Sequence, residues 1–240
     1  MSKLKTSYSP LNIAEESPVI SSIIVGATLC TGAYGLYSHV TSGFVSKYAL
    51  IIAIIIIVVM IFMSYFYRKP LNTIRNDTDG KNSNLITSPA YGTVYEILPV
   101  VKNDHQYTHI SIFLSPADVH FQYFPTNATF VKTTYDATGK FSLAYEMNKS
   151  NENEKSITEI KTKNGDSIFI TQIAGFLVRR INTKKFKEGA DIKAGQELGM
   201  IKFGSRVDVE IPSEYKILIK EGEYLYGPET IIARIEDSMN

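Results

Sequence analysis

Cysteine is almost missing from these 240 residues, and the single one, Cys30, sits in an apolar N-terminal stretch. A disulfide framework and a thiolate metal site are thereby excluded for the rest of the chain. Charge of one sign is missing as well. Lys and Arg total 25 against 24 Asp and Glu; without Lys3, Lys5, Lys47, Glu15 and Glu16 of the N-terminal region, the remainder holds 22 of each. Such a balance offers no electrostatic basis for binding nucleic acid. Histidine is scarce, with four in all. His39 closes the first apolar run. His105 and His109 have the spacing of a helical metal pair, but Tyr107 to Phe113 alternates like a strand, where four residues span roughly 13 Å. No metal site is expected there.

What the chain does have is two long apolar runs. Val19 to Ser38 carries no charge over 20 residues, and Ala49 to Phe66 carries none over 18. Each is long enough to cross a hydrocarbon core as a helix. Only Thr41 to Lys47 separates them, which predicts a transmembrane hairpin, and Ala27, Thr31 and Gly35 recur at a spacing that suits close helix packing. Glu15 and Glu16 before the first run, and the stronger run after it, speak against a cleaved signal peptide. Residues 1–67 therefore read as a tail plus a two-helix membrane anchor. Arg68, Lys69 and Arg75 follow the second run, whereas the inter-helix loop has only Lys47. This places the large domain on the cytoplasmic side.

Residues 68–240 read differently. From about Leu85 onward long helical periodicity is absent, and short apolar alternations are punctuated by Gly, Pro, Asn and Asp, which predicts a β-rich domain. Expected strands include Gly92 to Leu98, His109 to Leu114, Thr129 to Tyr135, Ser167 to Ile173 and Val207 to Ile211. The polar stretch Asn148 to Lys161 reads as a loop or edge. Near the end, Lys187 to Leu198 (KEGADIKAGQEL) is repeated by Lys220 to Ile231 (KEGEYLYGPETI). In each copy a Gly opens a turn, an apolar residue points inward, a second Gly turns again and a strand follows. Paired units of this kind resemble the two halves of a barrel-sandwich; chance likeness between Gly-turn hairpins is the alternative.

Ile201 to Pro212 (IKFGSRVDVEIP) alternates in its second half, yet Gly204-Ser205 stands at its mouth without the residues of a two-residue hairpin turn. A flexible residue beside a nucleophile needs another reason. Ser115 to Pro125 (SPADVHFQYFP) ends an apolar strand with a Ser-Pro turn and presents Asp118 and His120 together. In order along the chain stand Ser88 to Val94 (SPAYGTV), Ile112 to His120 (IFLSPADVH), Glu152 to Lys155 (ENEK), Gln172 to Ile181 (QIAGFLVRRI) and Gly199 to Asp208 (GMIKFGSRVD), with Phe66 to Pro70 (FYRKP) after the anchor. Together they resemble the short phosphatidylserine decarboxylase family, archaetidylserine-type members included, whose motifs read approximately SPADG, SPxDVH, ENER, QIAGxxARRI and GMIRFGSRVD. The likeness covers roughly residues 60 to 235.

The resemblance implies a pyruvoyl-dependent decarboxylase. Family members cut their own chain between Gly and Ser and convert the Ser to a pyruvoyl group, here from Gly204-Ser205. The Ser205 hydroxyl would attack the Gly204 carbonyl, leaving chains of 204 and 36 residues. The resulting ketone can condense with the amine of a serine headgroup and take up the electrons left by departing carbon dioxide. His120 is the candidate proton donor or substrate-orienting group, with Asp118 as its support. Arg179 and Arg180 are candidates for the headgroup phosphate or carboxylate; as neighbours on a strand they face opposite ways. The implied partners are a phospholipid substrate and the bilayer, with the two self-cleavage chains associated and a homo-oligomer open. Two departures stand out. Tyr91 replaces the family Asp of SPADG, and a phenol cannot supply a carboxylate's charge at neutral pH; Tyr123 stands where some longer members have a second histidine. A noncatalytic, unprocessed membrane protein with a structural or lipid-binding role is the alternative.

Overall fold

The computed structural model describes residues 8–13, 26–35, 37, 43–70, 85–102, 104–137, 153–175, 181–201 and 205–235. The chain divides into two compact units, Met1–Leu71 and Asn72–Asn240.

In the first unit, helix α1 occupies residues 26–35 and helix α2 Gly43–Phe66. The second opens inside the loop expected at Thr41 to Lys47, because nothing between Gly43 and Tyr48 breaks a helix: no Pro occurs, and the one Gly lies at the start. Its 24 residues give a length of about 36 Å. The Thr28 hydroxyl of α1 donates to the Met60 sulfur of α2, so the two helices touch. Large apolar side chains of α2 are exposed along its length, from Leu50 at 61% to Ile61 at 65%. Among the described residues no helix is long and apolar enough to cross a membrane, so the transmembrane hairpin expected from the sequence is not found there. Arg68 closes α2 by donating to the Tyr65 carbonyl at 2.8 Å and lying over the Tyr65 ring. Strands β1 (Tyr8–Ile13) and β2 (Arg68–Pro70) pair antiparallel within this unit.

The second unit is mainly β, with a sheet that curls into a half-barrel. Its strands are β3 (Leu85–Thr87), β4 (Gly92–Lys102), β5 (His105–Leu114), β6 (Phe121–Tyr123), β7 (Ala128–Asp136), β8 (Lys155–Thr162), β9 (Ser167–Ile173) and β10 (Ile181–Thr183). They continue with β11 (Asp191–Ile192), β12 (Glu197–Ile201), β13 (Ser205–Pro212), β14 (Tyr215–Ile217), β15 (Tyr224–Leu225) and β16 (Ile231–Ile235). One eight-stranded sheet has the order β11-β7-β8-β9-β13-β5-β4-β15; two three-stranded sheets have the orders β10-β12-β6 and β14-β16-β3.

These orders contain a hidden repeat. Replacing β6, β7, β8, β9, β10, β11 and β12 by β3, β4, β5, β13, β14, β15 and β16 turns each half of the large sheet, and each small sheet, into its counterpart. One half is continuous, Phe121 to Ile201, and is inserted between β5 and β13 of the other. The KEG repeat seen in the sequence is the end of each half. Ile192 and Leu225 are its buried apolar residues, and Gly189, Gly195, Gly222 and Gly227 take the positive φ of its turns.

The core lies on one face of the large sheet, where Ile110, Ile112, Leu114, Ile168, Ile170, Val207, Val209 and Ile211 alternate inward. The stretch expected as a loop or edge contains β8, which is interior, between β7 and β9. Its inward residues are Ser156, Thr158, Ile160 and Thr162, all buried. Polar side chains fit there because they find partners: Thr158 with Thr133 at 2.9 Å, and Ser156 with Thr183 at 2.9 Å. Composition alone hid the strand.

Candidate active site

Two chain crossings join the halves, one at Ser115 to His120 and one just before Ser205. Antiparallel register makes them neighbours. Ser205, the first residue of β13, pairs with Leu114, the last residue of β5 and the one before the crossing loop. Gly204, Arg179 and Arg180 lie outside the described residues, as does the Ser205 side chain.

The crossing loop is held by its own acid. The Ser115 amide donates to Asp118 Oδ2 at 2.7 Å, and the Asp118 amide returns to the Ser115 carbonyl at 2.9 Å, a turn that Pro116 favours. Asp118 Oδ1 accepts from the Tyr224 hydroxyl at 2.6 Å. The carboxylate therefore serves the loop and β15. What Asp118 offers His120 is its backbone carbonyl, 2.9 Å from Nδ1. A carbonyl only accepts, so Nδ1 carries the proton, and in the neutral ring Nε2 is the basic nitrogen.

His120 is fully buried, and its carbonyl accepts from the Ile201 amide at 3.2 Å and the Gln122 side chain at 2.7 Å. From there a polar chain crosses the core end of the sheet. Gln172 donates to Gln122 Oε1 at 2.8 Å, and Thr183 donates to Gln172 Oε1 at 2.8 Å. Gln172 faces Val207 across the β9–β13 pair, so this network lies beside the start of β13. The ENEK and QIAG motifs also meet. Asn153 donates to the Ala174 carbonyl at 2.9 Å, and the Ala174 amide donates to the Glu154 carbonyl at 3.0 Å.

Tyr91 is buried between β3 and β4, edge to face with Tyr123 and under Gly227. A Cβ on Gly227 would come 2.2 Å from Tyr91 Cε2, and one on Gly92 2.3 Å from the Phe113 carbonyl oxygen. The two glycines let the SPAYG segment lie flat on its neighbours. No carboxylate occupies position 91, and the nearest described acid of the crossing loop, Asp118, is engaged as above.

On the sheet face opposite the core, β13 presents Arg206, Asp208 and Glu210. Arg206 and Asp208 are buried; Nη2 donates to Oδ2 at 2.9 Å, and Nε makes a 2.9 Å ion-pair contact with Oδ1. The Arg206 charge is thus taken up by its own strand. His109 lies 3.7 Å from Asp208 and 3.8 Å from Glu210, and Lys102 caps the row 2.6 Å from Glu210. Burial lowers the His109 pKa, but the Glu210 hydrogen bond and the Asp208 charge outweigh it and the net shift is upward.

A family profile described as phosphatidylserine decarboxylase matches residues 59–233. Relatives agree. A phosphatidylserine decarboxylase proenzyme of Wolbachia pipientis wMel is 37% identical over 179 residues, covering 72% of this chain and 75% of the relative. One of Parabacteroides distasonis is 37% identical over 187 residues, covering 77% and 82%, and one of Cytophaga hutchinsonii 36% over 202 residues, covering 82% and 86%. The chain belongs to the phosphatidylserine decarboxylase family. That family is one of enzymes, and the match runs from within α2 to within β16, so it includes the crossing loop, the start of β13 and Tyr91. Around the crossing loop and β13, sequence reasoning missed the Tyr224–Asp118 bond, the Gln122–Gln172 chain and the burial of Arg206 with Asp208. Alternation put Arg206 and Asp208 on one face of a strand; nothing in it marked that face as covered.

Proposed function

We propose that this chain is a membrane-anchored proenzyme that cuts itself between Gly204 and Ser205 and then decarboxylates a serine phospholipid, phosphatidylserine giving phosphatidylethanolamine. The observation that carries the reading is the pairing of Ser205, the serine of the only Gly-Ser in the sequence, with Leu114, the residue before the loop that bears His120. For self-cleavage the Ser205 hydroxyl needs a proton acceptor, and His120 Nε2 is the basic nitrogen of a ring oriented through Nδ1. Attack on the Gly204 carbonyl exchanges the amide for an ester, loss of the Ser205 α-proton then expels the Gly204 carboxylate, and water replaces the amine nitrogen of the resulting dehydroalanine, released as ammonia, to leave the ketone.

The residues present suit a pyruvoyl group at position 205. The cut falls where the inserted half ends, so neither product loses its place in a sheet: β12 stays with β6 and β10, β13 with β5 and β9. Once formed, the group would supply an electron sink for decarboxylation. His120 would then hold or deliver the proton that replaces the carboxylate, and Arg179 or Arg180 would bind the headgroup phosphate or the substrate carboxylate. The uncharged runs Val19 to Ser38 and Ala49 to Phe66, the exposed apolar side chains of α2 and its contact with α1 are what favours a membrane hairpin. A hairpin keeps the site near a diacyl substrate, and Arg68 and Lys69 favour the cytoplasmic side.

The test is denatured intact mass of the full chain beside Ser205→Ala, followed by carbon dioxide release from phosphatidylserine liposomes. Chains of 204 and 36 residues absent from the Ser205→Ala control, with release of carbon dioxide, are expected; cut protein inert on phosphatidylserine would refute the activity. A noncatalytic role is the second reading, favoured by the buried Tyr91 where the related motif has Asp. It gains if the natural chain stays whole and Tyr91→Asp switches cutting on.

A further inference from the structure

We propose that Tyr224 is a positioning residue for His120, acting through Asp118 across the cleavage point; the proposal rests on the self-cleavage reading above. Tyr224 belongs to the 36-residue segment that follows Gly204, whereas Asp118 and His120 precede it. The segment is docked independently of the site. The Gly222 amide donates to the Val94 carbonyl at 2.8 Å, the Val94 amide to the Glu223 carbonyl at 2.8 Å, and the Ile97 amide to Glu221 Oε1 at 3.0 Å. Tyr224 pairs with Thr93 on β4 and lies edge to face on Tyr226, ring centroids 5.1 Å apart. Its hydroxyl therefore arrives from a rigid edge of the large sheet.

There it meets the one carboxylate of the crossing loop. Asp118 is 8% exposed, and its two oxygens are divided between the Ser115 amide and Tyr224. With both oxygens held, the peptide of Asp118 is fixed in direction, and that peptide's carbonyl keeps the proton of His120 on Nδ1. Without the phenol, one oxygen loses its partner, the Asp118 carboxylate is held only by the Ser115 amide, and the imidazole is less strictly restricted to one tautomer. Nε2 then spends part of its time protonated, unable to take a proton from Ser205. Sequence separation hides the link, since the two partners stand 106 positions apart.

The experiment uses the full chain in phospholipid nanodiscs with three variants: Tyr224→Phe, Tyr226→Phe and Ser205→Ala. Two quantities are read, the half-time of appearance of the 36-residue product and the imidazole nitrogen shifts of His120, the latter also in Ser205→Ala with and without Tyr224→Phe. Tyr224→Phe is expected to slow cutting about tenfold, the scale of one charge-assisted hydrogen bond, and to move His120 from the Nδ1–H tautomer toward a mixture. Tyr226→Phe, which leaves the Asp118 bond in place, should cut at the wild-type rate. Slower cutting with unchanged His120 shifts would make Tyr224 merely structural and overturn the proposal, as would unchanged shifts at a wild-type rate. If the wild-type chain is not cut at all, the self-cleavage reading fails, and the shifts in Ser205→Ala still decide whether Tyr224 orients His120.

Discussion

Tyr91 and Tyr123 meet edge to face, with ring centroids 6.4 Å apart and planes at 69°. They are the two departures that remove an ionisable group from the pattern the chain resembles, one an acid and one a histidine found in some longer members. Far apart in sequence, the two departures are a single contact in the fold. Two aromatic bodies now fill a site where an acid and an imidazole would be neighbours, and the smallest residue available, Gly227, closes over the Tyr91 ring. Restoring only the acid would thus leave it beside a phenol in a dry space.

Tyr91→Asp alone is therefore expected to destabilise the domain by about 3–5 kcal/mol, through a lost ring and a buried, poorly paired carboxylate. Adding Tyr123→His should recover at least about 1 kcal/mol of that loss. Urea unfolding of the two single variants and the double variant measures the coupling. Effects that add within about 0.5 kcal/mol would mean the contact is incidental.

Asp208→Asn should cost about 3–5 kcal/mol, because it removes the carboxylate charge that contacts the buried Arg206 guanidinium at both Nε and Nη2. Replacing both partners together, Arg206→Met with Asp208→Leu, should be far milder. The same unfolding measurement separates a charge-pair role from a packing role; equal losses in the two cases would point to packing.

His109 makes stability depend on pH. Its folded pKa lies above the ordinary 6.5 although burial opposes this, since the Glu210 hydrogen bond and the Asp208 charge outweigh it. Ser111 and Arg206 face it too, with Glu96 opposite Ser111 and Lys102 on Glu210. A raised pKa means that the His109 contribution is complete below about pH 6.5 and is lost as pH rises through the folded value. Glu210 shifts downward, burial being outweighed by His109 and Lys102, so its contribution is present above the ordinary 4.5 and is lost as pH falls through the folded value. Urea midpoints should fall between about pH 6 and about pH 8, and His109→Gln should flatten that fall.

After cutting, the two chains should remain together under native conditions. The 36-residue piece begins with β13, which is central in the large sheet, and its Val207, Val209, Ile211, Leu225 and Ile232 are fully buried in the shared core. Burial of such side chains is worth roughly 1.5–3 kcal/mol each, so separation should need denaturant. Size-exclusion chromatography of processed protein, with mass analysis of the peak, should find both chains eluting as one. Free 36-residue chain in a later peak would contradict the placement of β13.

Local pattern by itself determined much of this protein. Apolar runs without charge marked the helix that the structure has at Gly43–Phe66, and period-two alternation marked Ser167–Ile173 and the cores of β4, β5, β7 and β13, because both signals are carried by near neighbours. Ordered motifs marked the family. Only the tertiary structure decided the rest. A strand as polar as β8 is interior because Thr133 and Thr183 reach its hydroxyls, and those partners come from other strands. The insertion of one half into the other sets Leu114 against Ser205. The Tyr224–Asp118 bond and the Tyr91–Tyr123 contact join residues whose meeting depends on sheet order. Periodicity determines which way a side chain faces; only long-range pairing determines what it faces.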